Sequence, residues 1–186
     1  MLNAFQRKID ALILDPDDEF ERKIQRRLGG RAKKGLCEEL KEFIRLLPRI
    51  ERRIYSLYVW LPADSRVKDV GSYFLTYMYK PQDFIPENDR NGLLGYLDDA
   101  YLASLFYEVM LEEIAGSNQL RIRRADADLL KRVIGLRRKA AAVIPDEAIK
   151  IKQMLGELFA GEETTFNSLF AKKTDLKKEA PHVERI

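Results

Sequence analysis

A chain of 186 residues with 46% hydrophobic and 34% charged residues and a net charge of +3 has the size and composition of one globular domain with a sizeable core, which excludes whole-chain disorder. Its single histidine and single cysteine argue against histidine-assisted nucleophiles, zinc fingers and paired-thiol chemistry, each of which needs several imidazoles or thiolates at set spacings. No dinucleotide or P-loop glycine motif occurs, so any catalysis would rest on carboxylates, lysine, tyrosine or a hard cation.

Met1-Leu2-Asn3-Ala4-Phe5 runs into Gln6-Arg7-Lys8 without the apolar core of a signal peptide, and a cytoplasmic protein is expected. Leu2, Phe5, Ile9 and Leu12 recur at spacings of three and four, which predicts a helix from Met1 to Leu14. Asp15-Pro16-Asp17-Asp18 ends it and starts a second, with Phe20, Ile24 and Leu28 every four residues and Gly29-Gly30 as the stop. From Leu36 onward, Leu40, Phe43, Leu47, Ile50, Ile54, Leu57 and Leu61 keep the helical rhythm through Pro48. That pattern fits one long helix kinked at Pro48, or two helices with Pro48 in the first turn of the second. Leu61-Pro62-Ala63-Asp64-Ser65 is a break, with Asp64 or Ser65 as N-cap.

The stretch from Arg66 to Tyr79 is apolar nearly all round and is expected to be central. A loop over Lys80 to Gly92 joins it to a second apolar helix ending near Ile114, and the two are predicted to form a buried antiparallel hairpin. A span of about 21 Å for the first, against a hydrocarbon core of about 30 Å, and Asp98, Asp99 and Glu108 in the second argue against membrane crossing. Amphipathic helices follow from about Asp126 to Ala142, from Pro145 to near Gly161, and briefly after Thr165. The fold class is therefore all-α: a compact helical bundle around the hairpin. One domain is expected over 1–171, with core 61–115, flanks 1–60 and 120–171, and a charged, disordered tail over 172–186.

Asp64-Ser65-Arg66-Val67, an apolar helix, Tyr77, Pro81, Asp83-Phe84-Ile85-Pro86-Glu87 and Gly95-Tyr96-Leu97-Asp98-Asp99 follow in that order. This run resembles the YkvA-like family of bacterial domains. The family pattern reads Asp-x-Arg-Val, an apolar helix, Tyr-x-x-x-Pro-x-Asp-Leu-Ile-Pro-Asp and Gly-x-Leu-Asp-Asp. The chain departs from it at Phe84, at Glu87, and at Asn88-Asp89-Arg90-Asn91, where a second loop proline is missing. The resemblance covers about a quarter of the chain. It implies a helical hairpin and, in some members, membrane association, and it implies no established reaction.

The acidic candidates are Asp83, Glu87, Asp98 and Asp99, with Asp89 beside them. A tight turn would gather enough oxygens for Mg²⁺ or Ca²⁺, the basis of a carboxylate-based divalent-metal enzyme. The preferred reading is structural: an Asx-turn at Asp83, bonds from Asp98 or Asp99 to loop N–H groups, and pairing with Arg66 or Lys80. On that reading there is no cofactor, a divalent cation being the alternative; no catalytic residue is assigned, and the balance leans against an enzyme. Tyr73, Tyr77, Tyr79, Tyr96 and Tyr101 crowd the hairpin as partners for buried acids, and Gly95 permits close helix approach.

Residues 21–34 carry seven basic residues against Glu21, and 121–139 carry eight against two acids, a net +6 in each, while 81–115 carries −7. Either these flanks neutralise the acidic centre, or Arg26, Arg27, Arg31, Lys33, Lys34, Arg121, Arg123 and Arg124 present a surface for nucleic acid or an anionic membrane. The leading functional expectation is a non-catalytic interaction or scaffolding module, cytoplasmic or peripheral to a membrane. A protein partner or a second copy would be met through the stripes of the first two helices or the long one. The two alternatives are the basic-surface binder and the metal enzyme.

Overall fold

The computed structural model describes residues 2–16, 19–78, 84–86, 91–116 and 122–170. Among them are eight α-helices, one 3₁₀ turn and no strand: α1 (Leu2–Leu14), α2 (Phe20–Arg27), α3 (Leu36–Tyr58), α4 (Arg66–Met78), the 3₁₀ turn (Gly92–Tyr96), α5 (Leu97–Gly116), α6 (Arg124–Val143), α7 (Pro145–Ala160) and α8 (Thr164–Phe170). Met1, Asp17, Asp18, Tyr79, Lys80, Pro81, Asp83, Glu87, Asp89, Arg121 and residues 172–186, all of which entered the expectations above, lie outside the described residues.

The apolar rhythm of the first half becomes real helix faces. α3 is one continuous helix of 23 residues with Pro48 inside it, about 34 Å long. It ends at Tyr58, so Leu61 is buried from the following turn rather than from the helix. Its buried face includes Leu40, Phe43, Leu47, Ile50 and Ile54. α1 runs antiparallel along it, as the contacts Asp10 to Arg45 (3.6 Å) and Arg52 to the Asn3 side chain (3.1 Å) require. A Gly29-Gly30 turn closes α2, with Gly30 N–H donating back to the Gln25 carbonyl at 2.8 Å.

α4 and α5 form the expected antiparallel pair, because contacts join opposite ends of the two helices. Ser65, just before α4, donates to Glu113 late in α5 (2.8 Å), and Tyr77 near the end of α4 donates to Asp98 at the start of α5 (3.1 Å). Ser65 thus has its hydroxyl on Glu113 rather than on the helix end it precedes. α4 keeps a solvent face at Asp69, Ser72 and Thr76, so it is less central than its composition suggests. Gly71 explains how closely it packs: a Cβ there would lie 2.5 Å from the Tyr58 ring, itself held by a bond from its hydroxyl to the Lys68 carbonyl.

The centre of the molecule is α5, with 13 of its 20 residues buried and with α3, α4, α6, α7 and the 3₁₀ turn packed around it. α7 ends at Gly161 in the left-handed region (φ 87°), and Arg66 from α4 donates to the Leu158 carbonyl at 2.5 Å. α8 is held by Thr165 on the Glu157 carboxylate (2.8 and 2.9 Å) and by Phe166 edge-on to Tyr73 at 4.9 Å.

Most of the apolar stripes expected to meet a partner on the first three helices are covered within this chain. Ile9, Phe20, Ile24, Leu40, Phe43, Leu47, Ile50 and Ile54 are buried within this one chain, and Phe5, Leu12 and Leu28 pack against the same core. The reason is that α1 and α2 lie across α3 and the 3₁₀ turn, so each short helix covers the stripe of the long one.

Candidate functional site

Of the four acidic candidates, Asp98 and Asp99 are described, and both are buried in the first turn of α5. Asp98 Oδ2 accepts from the Tyr77 hydroxyl at 3.1 Å and from the Ile85 N–H at 3.0 Å. One carboxylate therefore ties the end of α4, the Phe84–Ile85 segment and the start of α5 together, with the Tyr77 and Phe84 rings 5.9 Å apart beside it. A general base must reach a proton on a substrate, and a fully enclosed carboxylate serves as an internal acceptor instead. Arg66 does not pair with these acids. It lies at the other end of α4, 3.4 Å from Asp69. Among the described residues no group of three or more His, Cys, Asp and Glu side chains is placed to hold a metal.

The tyrosines divide. Tyr77, Tyr96 and Tyr101 are buried, and Tyr73 bonds to Glu163 instead of to a hairpin acid. The second buried polar centre joins residues that the sequence argument did not connect. Asp126, counted there only as an acid within a basic run, is buried and accepts two parallel bonds from Arg53 (2.7 and 2.8 Å) and one from the Tyr107 hydroxyl (2.8 Å). Burial alone raises the Asp126 carboxyl, but the bonds from Arg53 and Tyr107 and the guanidinium charge outweigh it and hold the group below its usual range. Burial, then the bond to Asp126, pushes the Tyr107 phenol far up.

The basic candidates separate into two places. Arg123 and Arg124 stand at the start of α6, beside the C-terminal part of α3 through the Asp126–Arg53 pair. Arg26, Arg27, Arg31, Lys33 and Lys34 stand at the opposite end, where α3 begins, since Arg27 meets Glu147 at the start of α7 (2.9 Å) and Lys139 late in α6 meets Glu39. From Arg53 back to Leu36 is about 25 Å of helix. Much of the second basic run folds onto acids, as in Arg132 with Glu42 (2.5 Å) and Arg137 with Glu108 (2.5 Å). Arg26, Arg31, Lys33 and Lys34 are exposed and have no ion-pair partner among the described residues.

A feature invisible to stripe counting lies at the α3–α4 turn. Val59 and Trp60 are 72% and 57% exposed, side by side, although both belong to an apolar stretch. Tyr55 one turn earlier and Ile122 just before α6 are partly exposed at the same end. Arg49 and Arg52 rise along the exposed side of α3 behind them, Arg123 and Arg124 follow Ile122, and Asp64, Glu112 and Asp128, the last 4.0 Å from Arg124, are exposed acids nearby.

A scan against protein-family models and searches of curated proteins and of solved structures each returned no match.

Proposed function

We propose that this chain is a YkvA-like helical protein that works as a non-catalytic interaction module, seated on the cytoplasmic surface of an anionic membrane by the tip around Val59 and Trp60. The observation that carries this reading is the exposure of two adjacent large apolar side chains, Val59 and Trp60, on the turn between α3 and α4. A tryptophan ring, apolar in body and polar at its N–H, suits the headgroup boundary of a bilayer. Arg49, Arg52, Arg123 and Arg124 supply attraction to negative headgroups, partly offset by Asp64, Glu112 and Asp128. No described helix is long and apolar enough to cross a membrane, so the contact is peripheral.

Transferring the exposed parts of Val59 and Trp60 from water contributes about 1 to 2 kcal/mol each, which makes the association weak and reversible. Trp60 is the one tryptophan of the chain, so its fluorescence reports this site alone. Titration with vesicles containing phosphatidylserine should shift its emission to the blue, and phosphatidylcholine vesicles should do so less. Val59→Ser should weaken co-sedimentation several-fold. Unchanged emission together with no co-sedimentation at low salt would refute the proposal.

A further inference from the structure

We propose that the other end of the bundle, about 30 Å from Trp60, is a docking surface for the phosphate backbone of double-stranded nucleic acid. This is independent of the membrane reading. It rests on how charge is disposed where α2 ends, α3 begins, α6 ends and α7 begins.

The carboxylates at that end are occupied by other cations. Arg27 holds Glu147 (2.9 Å), Lys139 holds Glu39, Lys41 holds Glu21 and Glu38 (3.3 and 3.0 Å), and Arg132 holds Glu42 (2.5 Å). Lys41 serves two carboxylates, so one negative charge of that trio and the exposed Asp146 are left over. Against these stand Arg26, Arg31, Lys33 and Lys34, joined by Arg138 beside Lys139, all exposed and without an ion-pair partner among the described residues. Positive charge is therefore in excess there, which a run of phosphates would neutralise.

The backbone favours the same arrangement. Gly29, Gly30 and Gly35 take φ of 57°, 78° and 83°, a region that side chains other than glycine's rarely enter. They fold residues 28–35 back over the start of α3 while Ala32 packs on the core, so Arg31, Lys33 and Lys34 are carried on a tethered loop rather than a loose tail. Among the described residues the large exposed aromatics, Tyr55 and Trp60, are both at the far end. A surface of cations without aromatic faces reads backbone phosphates of a duplex. It lacks the stacking platforms that single strands need, and the aromatic anchors that favour a lipid interface. Arg27, engaged by Glu147, and Arg123 and Arg124, at the membrane end, do not belong to this surface.

The test is fluorescence anisotropy of a labelled duplex of about 20 base pairs with the full chain. Binding is expected near micromolar strength at about 50 mM salt, with a log–log salt slope near −3 for five cations of which one or two miss a phosphate. The variant Arg26→Gln, Arg31→Gln, Lys33→Gln, Lys34→Gln should keep its melting temperature, since these exposed side chains have no ion-pair partner among the described residues, yet bind at least tenfold more weakly with a slope nearer −1. The pair Arg123→Gln, Arg124→Gln and, separately, Trp60→Ala should leave duplex binding unchanged, which separates failure here from failure of the membrane reading. Four results would each overturn the inference: no duplex binding at low salt, equal loss in the Arg123, Arg124 pair, tighter binding of a single strand, or loss of vesicle rather than duplex binding in the fourfold variant.

Discussion

Replacing Asp126 by alanine should destabilise the fold by about 2 to 4 kcal/mol. The estimate follows from what the carboxylate leaves behind. The Tyr107 hydroxyl is buried and loses its acceptor, a loss of about 1 to 3 kcal/mol. The Arg53 guanidinium loses both parallel bonds, but its side chain keeps 25% of its exposure and can turn to water, so the upper range for a broken buried pair is not reached. For a chain of this length the melting temperature should fall by roughly 10 °C. Urea unfolding of wild type, Asp126→Ala, Arg53→Met and the double variant gives the coupling directly, and the double variant should be less unstable than the sum of the singles. The pH dependence has a definite sign. Because the folded carboxyl lies below its unfolded value of 3.8, its contribution is complete above that pH and is lost as pH falls through the lower folded value. The gap between wild type and Asp126→Ala should hold from about pH 7 to about pH 5 and narrow as pH falls below about pH 4. A loss below about 0.5 kcal/mol, or a gap that widens as pH falls below about pH 4, would refute the account.

Two further substitutions test the hairpin. Asp98→Ala removes an acceptor from the Tyr77 hydroxyl and from the Ile85 N–H and should lower stability by about 1 to 3 kcal/mol in a thermal melt; an unchanged melt would remove the structural role and revive a chemical one. Gly71→Ala drives a methyl into the Tyr58 ring and should cost about 1 to 3 kcal/mol, and most of that loss should vanish when Tyr58→Ala is the background, as a denaturant double-mutant cycle would measure.

Helix existence was readable because periodicity depends only on which side chains are apolar. The stripes of α1, α2 and α3 were found for that reason, but periodicity does not say what covers a stripe. The stripe of α3 is largely covered by α1 and α2, which the pattern alone does not tell. Asp98 was singled out with the right kind of partner, and its bond to Tyr77 depends on a short loop that sequence order makes visible. Asp126 was missed because Arg53 and Tyr107 lie 73 and 19 residues away, and no local pattern links them. A close-approach glycine that the sequence argument did not seek is Gly71, which meets Tyr58 across the α3–α4 turn. The exposure of Val59 and Trp60 was not drawn from the pattern, although both stand off the stripe that Leu57 and Leu61 continue.

The burial of α5 on every side also orders events during synthesis. The ribosome releases residues 97–116 before any of α6 or α7 exists, and those two helices cover flanks of α5 that α3 and α4 do not. For the time needed to add about 40 more residues, at about 5 to 20 per second, the nascent chain carries an uncovered apolar rod. Side chains such as Met110, Leu111 and Ile114 then have water or a chaperone as their neighbour. Completion awaits Leu158, whose carbonyl Arg66 has to find across 92 positions of chain. Fragments that stop short of α7 should therefore partition into aggregates, and the half of the chain that bears the hairpin matures only after the other half has been made.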